Sequence, residues 1–173
     1  MKVSAVLIAA TTLVAGVAAN YATVKTDVNK IKTDVAKLYQ ALKTSDGTSY
    51  NSAIAIDSAA RALNADLQTA NTDAKAVSSL SSAQAQALLT ILSNTYTNVS
   101  LISKRLITLE PKFKSIGVAG AAKMDISAIA SSTKTFGATL VSKAPSASKS
   151  SASALAAKYN KALASALAAY RND

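Results

Sequence analysis

Apolar residues recur at alternating spacings of three and four along most of this chain, and this period constrains the fold more than any other feature. In the first segment the apolar positions are Val24, Val28, Ile31, Val35, Leu38 and Leu42. Such spacing places the apolar side chains on one face of an α-helix. Only five glycines and two prolines interrupt the 173 residues. The pattern therefore predicts an all-α protein.

Turn signals divide the chain into about five amphipathic helices. Residues 44–47 (TSDG) end the first, and the second covers about 49–77. Either Ser81 or Ser82 is placed to cap the third. Pro111 is expected to end the third helix and to lie in the first turn of the fourth. The serine-rich stretch 144–153 is expected to connect the fourth helix to the fifth. Short connections predict a mostly antiparallel bundle with an apolar interior.

The large apolar residues are concentrated in the third and fourth segments, whereas alanine fills many inward positions of the second and fifth. Alanine lets helices approach closely but buries little area, so uneven packing can leave an apolar void. A hydrophobic guest would offset the free energy lost to such a void. The alternative is that the alanine-rich helices simply pack more tightly, with no internal ligand.

The N-terminus has the features of an export signal. Lys2 precedes an apolar stretch at 3–14, and Val17-Ala18-Ala19 supplies small residues for cleavage. We therefore predict a signal peptide at 1–19 and a single helical-bundle domain at 20–173, secreted to the outside of the cell. A buried N-terminal helix is the alternative. In an exported chain, Asn98 in the sequence Asn98-Val99-Ser100 is a glycosylation candidate.

The residue types present argue against catalysis. The chain has no histidine and no cysteine, so Ser-His-Asp and Cys-His mechanisms are excluded and the usual transition-metal ligands are missing. Asp27 and Asp34 can share a helix face, as can Asp66 and Asp73, but all four fit ordinary surface positions. We predict that the protein is not an enzyme and uses neither a metal nor a cofactor.

Positive charge is unevenly distributed along the chain. The net charge is +10, and residues 104–173 carry eleven Lys and Arg against three acidic residues. This half can attract anions such as a fatty-acid carboxylate, a phospholipid head group or an acidic wall polymer. A solvated basic face that maintains solubility is the alternative for most single lysines. Nucleic acid is disfavoured as a partner by the export signal and by the few aromatic residues.

The order of the segments resembles a known family. The first helix (VKTDVNKIKTDVAKLYQAL) follows the signal and is succeeded by SYNSAIAIDSAARALNADLQTA. Residues 101–145 then hold a lysine-rich start, Phe113, Gly117, Gly120 and Pro145 in order. In these features the chain resembles the fungal hydrophobic surface-binding protein and cell-wall mannoprotein family. It lacks the Ser/Thr-rich stalk and anchor signal of wall-attached members, so we expect free secretion.

The resemblance implies two non-enzymatic activities. The first is the sequestration of fatty acids or similar lipids in an apolar tunnel between the helices, and the alternative is adsorption to hydrophobic surfaces or the cell wall. In the first mode the resemblance implies that the acyl chain lies along the large residues of the third and fourth segments. These are Leu88, Leu89, Leu92, Tyr96, Phe113, Met124, Ile129, Phe136 and Leu140. A Ser, Thr, Gln or Lys near one end would hold the carboxylate, and the residues leave the choice open.

Overall fold

The computed structural model describes residues 6–173, with side chains from Tyr21 onward. Its helices are α1 Val6–Thr44, α2 Tyr50–Ala76, α3 Ser82–Ser115, α4 Ala119–Lys143 and α5 Ser146–Ala169. No strand occurs in this part of the chain, so the all-α prediction with five helices is confirmed. The first five residues and the side chains of 6–20 lie outside the description, and the signal peptide stays a prediction.

The five helices form a closed ring around the core. Helix α1 packs against α2 and α3, α4 packs against α2 and α5, and α3 packs against α5. The order around the ring is therefore α1, α2, α4, α5, α3. The apolar seam of α1 is buried as the sequence predicts, from Val24 to Leu42. None of the described helices is both long enough and apolar enough to cross a membrane.

Side-chain contacts show the direction of each helix. Asp27 of α1 pairs with Asp73 of α2, and the later Asp34 pairs with the earlier Asp66, so these helices are antiparallel. The antiparallel bundle is confirmed for successive helices, which alternate in direction. Three pairs of neighbours in the ring run parallel: α2 with α4, through hydrogen bonds Asn64–Ser132 and Asn71–Thr139, α3 with α5, and α1 with α3. Five alternating helices cannot close a ring without such parallel neighbours.

The end of α3 differs from the sequence prediction. Pro111 lies inside α3, which continues to Ser115. Proline removes one hydrogen bond, to the carbonyl four residues earlier, and here that residue is the exposed Ile107, so water can solvate the freed oxygen. Gly117, with φ +76°, ends the helix. Its N–H donates to the Lys114 carbonyl, and the Val118 N–H donates to the Phe113 carbonyl, the pattern of a Schellman motif.

The other predicted boundaries have mixed outcomes. Ser81 caps α3 in a reciprocal arrangement with Gln84, as the sequence indicated. The prediction of a serine-rich connector at 144–153 is wrong, because α5 begins at Ser146, directly after Pro145. Serine is only a moderately poor helix former, and the carbonyl of Pro145 accepts hydrogen bonds from two N–H groups of the first turn. Inside α5, Ser148 and Ala152 are buried, as the close packing of this helix requires.

Candidate functional site

An elongated apolar cavity of about 90 Å³ lies inside the ring of helices. All five helices contribute to its wall, and most of the contributing side chains are aliphatic. The lining residues are Ile31, Val35, Leu38, Leu63, Leu67, Leu89, Leu92, Val99, Ile102, Leu106, Ile126, Ile129, Thr133, Phe136, Gly137, Leu140, Ala152, Leu155, Ala156, Tyr159 and Leu163. A space with such a wall excludes water and accepts hydrocarbon.

The cavity follows the axis of the bundle. Helix α3 lines it from Leu89 to Leu106, which corresponds to about 26 Å along the helix. The hydrocarbon core of a bilayer is about 30 Å thick for two opposed lipid chains, so one chain spans about 15 Å. The lining of the cavity therefore extends over a distance comparable to the length of an acyl chain.

Small residues bring α4 and α5 close together beside the cavity. Gly137 of α4 faces Ala156 of α5, and a Cβ atom on the glycine would lie 3.3 Å from the Cβ of Ala156. Ala152 lines the wall one turn before Ala156. A larger side chain at any of these three positions would have to enter the cavity or separate the two helices.

Two residues supply the polar side-chain groups of the cavity wall. The Tyr159 hydroxyl donates a hydrogen bond of 2.7 Å to the Leu92 carbonyl, and its ring packs edge-on against Tyr96. Burial, with a smaller effect of Tyr96, raises the pKa of Tyr159 above its usual range, so this hydroxyl stays protonated. Thr133 is half-buried, and its hydroxyl forms no hydrogen bond with any other described residue.

The carboxylates expected at the surface between α1 and α2 instead lie in the helix interface, which corrects that prediction. Asp34 is only 4% exposed and Asp66 only 9%. Burial raises the pKa of Asp66, assisted by a hydrogen bond with Asp34. Burial opposes ionisation of Asp34 too, but hydrogen bonds with Asp66 and Lys37 lower its pKa overall. Lys30 Nζ lies 2.6 Å from Asp66 Oδ1 across the same interface.

Two further carboxyl pairs join α2 to its neighbours. Burial, followed by a hydrogen bond with Asp73, raises the pKa of Asp27 to about 6. Burial, followed by the charge of Asp57, raises the pKa of Asp125 to about 6. These pairs lie outside the cavity wall. Among the described residues no group of acidic side chains is arranged to hold a metal ion.

A second cavity lies at the end of the bundle where α2 begins. A cavity of about 170 Å³ is bounded there by Tyr50, Ile54, Phe113 and Val118, among others. The large hydrophobic residues that are exposed in the described part are Tyr50, Ile54, Leu101, Ile107 and Met124. Two of them, Tyr50 and Ile54, border this second cavity.

The profile of the hydrophobic surface binding protein A family matches residues 21–142. This chain belongs to that family. The matched range includes α2, α3 and nearly all of α4, and it ends before α5. A search of curated proteins gives no significant match.

Solved structures share the fold of this family member over most of its length. AfMP4p in complex with palmitic acid superposes with a TM-score of 0.82 and 26% identity, covering 87% of this chain and 99% of that chain. Ligand binding domain 1 of Penicillium marneffei MP1, complexed with arachidonic acids, has a TM-score of 0.78 and 17% identity, covering 84% and 95%. Domain 2, with multiple arachidonic acids, has a TM-score of 0.78 and 14% identity, covering 90% and 96%. The family and these neighbours are binding proteins rather than enzymes.

Five of the nine lining residues that the sequence analysis predicts border the first cavity of this family member. These are Leu89, Leu92, Ile129, Phe136 and Leu140. All five lie on the inward face of α3 or α4. Ligand contact by any of them remains a prediction.

The other four predicted residues lie elsewhere. Leu88 is buried in the core but outside the cavity wall, and Tyr96 packs behind Tyr159. Phe113 lines the second cavity. Met124 is 67% exposed, because it precedes the inward-facing Ile126 by two residues and so projects about 200° away around the helix.

Sequence reasoning missed the contributions of α1, α2 and α5 to the wall. The sequence places Ile31, Val35 and Leu38 on the apolar face of the first helix, but periodicity does not show which residues of such a face border an opening. Thr133 and Tyr159 had no signal that separates them from other polar or aromatic residues on a helix. Asn98 is half-buried on α3, and its glycosylation remains a prediction.

Proposed function

We propose that this protein is a secreted, non-enzymatic binding protein that holds the acyl chain of a fatty acid or similar lipid in the cavity between its helices. One observation carries the proposal. The apolar cavity runs along the bundle axis in a fold that matches AfMP4p, described in complex with palmitic acid, at 26% identity over 87% of this chain. Removal of residues 1–19 on export belongs to the same proposal, and N-terminal sequencing of the exported protein tests it.

The energetics of the cavity support this function. Each buried methylene contributes about 0.8 kcal/mol, so ten buried methylenes provide about 8 kcal/mol before the costs of association. An empty apolar cavity of 90 Å³ destabilises a protein by about 2 kcal/mol. A bound acyl chain restores those missing contacts, so occupancy is favourable for both the lipid and the fold.

A filled cavity gives the sharpest test. Ala156→Phe adds a ring to the wall of the cavity, and Ala157→Phe adds the same ring at the adjacent exposed position. We expect the first variant to lose at least tenfold in affinity for a fluorescent fatty acid, while the second binds like the unmodified protein. Lipid extraction of natively purified protein, followed by mass spectrometry, is the companion measurement. Absence of both a co-purifying lipid and saturable uptake would reject the proposal.

Adsorption to hydrophobic surfaces is the second candidate function. The observation that favours it is the pair of exposed hydrophobic residues beside the second cavity, Tyr50 and Ile54, of which Ile54 is 65% exposed. Octyl-coated beads should deplete the protein from solution, and the double change Tyr50→Ser and Ile54→Ser should reduce that depletion severalfold. Equal depletion of the double variant would argue against this end as the adsorbing surface.

A further inference from the structure

We infer that the cavity selects long-chain lipids whose head group is uncharged when bound, such as an alcohol, an ester or a protonated acid, and that the Thr133 hydroxyl is the hydrogen-bonding partner of that head group. This inference rests on the proposed function and adds the chemical class of the ligand.

The first argument is the absence of charge in the wall. From α1, α2 and α3 only aliphatic side chains face the cavity, and α4 and α5 add Thr133, Phe136 and Tyr159 as the non-aliphatic side chains. No lysine or arginine contributes to the wall, although the chain has a net charge of +10. Lys134, which follows Thr133 in sequence, is exposed on the outside of the bundle.

The second argument is the position of the polar groups. Gly137 and Ala156 face each other across the antiparallel pair α4 and α5. Thr133 and Tyr159 each lie about one turn from that contact, in the same direction along the bundle, so they are at one level. Tyr159 also binds the Leu92 carbonyl. Along α4 the lining runs from Ile126 through Thr133 to Leu140, about 10 Å on either side of Thr133, and along α3 it extends from Leu89 to Leu106.

The third argument is the hydrogen-bonding capacity at that level. The Tyr159 proton is already donated to a carbonyl, which leaves its oxygen as an acceptor. The Thr133 hydroxyl has both its donor and its acceptor free within the described part of the chain. A neutral hydroxyl or carboxyl group can therefore both donate and accept here. An ionised carboxylate finds one free donor and no cation, and a buried charge with so little compensation is strongly disfavoured.

A fatty acid must consequently be protonated to enter. A free carboxyl of this kind titrates near the ordinary value of a glutamate side chain, about 4.3, and each pH unit above that value costs a factor of ten in the neutral form. Binding of an acid should weaken as the pH rises, whereas binding of the corresponding alcohol should not. The titratable group that faces this position from the wall, Tyr159, stays protonated throughout this range.

The test compares tetradecanoic acid with tetradecanol on the purified full protein, by displacement of the uncharged fluorescent probe prodan between pH 5 and pH 8. We expect the affinity for the alcohol to change less than about twofold and that for the acid to fall at least tenfold. The alcohol series reports any effect of pH on the protein itself. An affinity for the acid that is independent of pH, or equal to that of the alcohol at pH 8, would overturn the inference. If neither lipid displaces the probe, the proposed function itself fails.

Variants of Thr133 test the hydrogen bond. Thr133→Val removes the hydroxyl with little change in shape and should weaken tetradecanol binding about fivefold, while tetradecane, which has no head group, should bind unchanged. Thr133→Ser retains the hydroxyl and should retain the affinity for tetradecanol. Equal losses for tetradecanol and tetradecane in the valine variant would show a packing effect and would remove Thr133 from the site.

Discussion

Gly117 and Gly120 are three residues apart, but their backbone conformations differ. Gly117 has φ +76°, a left-handed conformation that costs other residues about 1–2 kcal/mol. A Cβ atom at either glycine would meet no neighbour within 4 Å. The change in stability caused by an alanine at either position therefore depends on the backbone conformation and not on side-chain contacts.

We expect Gly117→Ala to lower the free energy of unfolding by about 1–2 kcal/mol, because the Schellman motif at the end of α3 requires the left-handed conformation. Gly120 lies within the first turn of α4, so Gly120→Ala should raise the free energy of unfolding, by up to about 1 kcal/mol. Urea denaturation of the two variants measures both changes. Opposite signs are the expected result, and a neutral Gly117→Ala would contradict this interpretation of the helix end.

At the scale of elements, α2 stands out because its interfaces with both α1 and α4 contain pairs of carboxyl groups. Six of the nine acidic residues of this basic protein form such pairs between helices, in the combinations Asp27–Asp73, Asp34–Asp66 and Asp57–Asp125. Each pair can share a proton across its interface. Where both members are ionised, their repulsion acts to separate α2 from the neighbouring helix.

These pairs make the stability of the fold depend on pH. The pKa of Asp27 and that of Asp125 rise from 3.8 to about 6 in the folded protein. A raised pKa means that the folded state binds more protons than the unfolded chain between these values, so this stabilisation is complete below pH 3.8 and is lost as the pH rises through 6. We therefore expect Tm to fall by about 5 °C between pH 5 and pH 7.5.

Neutral substitutions isolate the contribution of the pairs. Asp27→Asn and Asp125→Asn together keep the shape of the protonated side chains, so the double variant should be more stable than the unmodified protein at pH 7.5 and less sensitive to pH. Asp46→Asn is the matched control, because Asp46 is exposed and lies outside the pairs. Scanning calorimetry at several pH values measures these differences, and a Tm that rises steadily from pH 5 to pH 7.5 in all variants would refute the assignment.

At the scale of the whole molecule, the cavity links stability to occupancy. The ring closes around a space that its own side chains do not fill, and all five helices border that space. A ligand that binds only the folded state adds stability by mass action, by about 2.7 kcal/mol when its concentration is 100 times Kd. The helices of this bundle should therefore unfold together at a temperature that depends on the lipid.

We expect lipid-free protein to gain several degrees in Tm when saturated with tetradecanol, in line with about 2–4 °C per kcal/mol for a domain of this size. Ala156→Phe, with its cavity filled by the ring, should show no such gain. Differential scanning fluorimetry on delipidated samples makes the comparison. A similar gain in the filled variant would place the stabilising lipid outside the cavity.

Local sequence determined much of this protein. Apolar residues spaced three and four positions apart predicted the five helices. The reason is that an α-helix has 3.6 residues per turn, so a buried face produces this spacing in any helix. The Ser81 cap and the end of α1 were readable for the same reason, since their signals lie within a few residues. The resemblance to the family was likewise carried by contiguous stretches.

Tertiary structure alone decided the features that depend on register between helices. Asp34 and Asp66 are 32 positions apart, and nothing local shows that they face each other across an interface. The same holds for Thr133 and Tyr159 in the cavity wall, and for Met124, whose exposure depends on how α4 is rotated in the ring. A seam pattern shows that a residue faces inward. Whether it meets another side chain or an open space is set by the ring of neighbours, because that depends on atoms contributed by other helices.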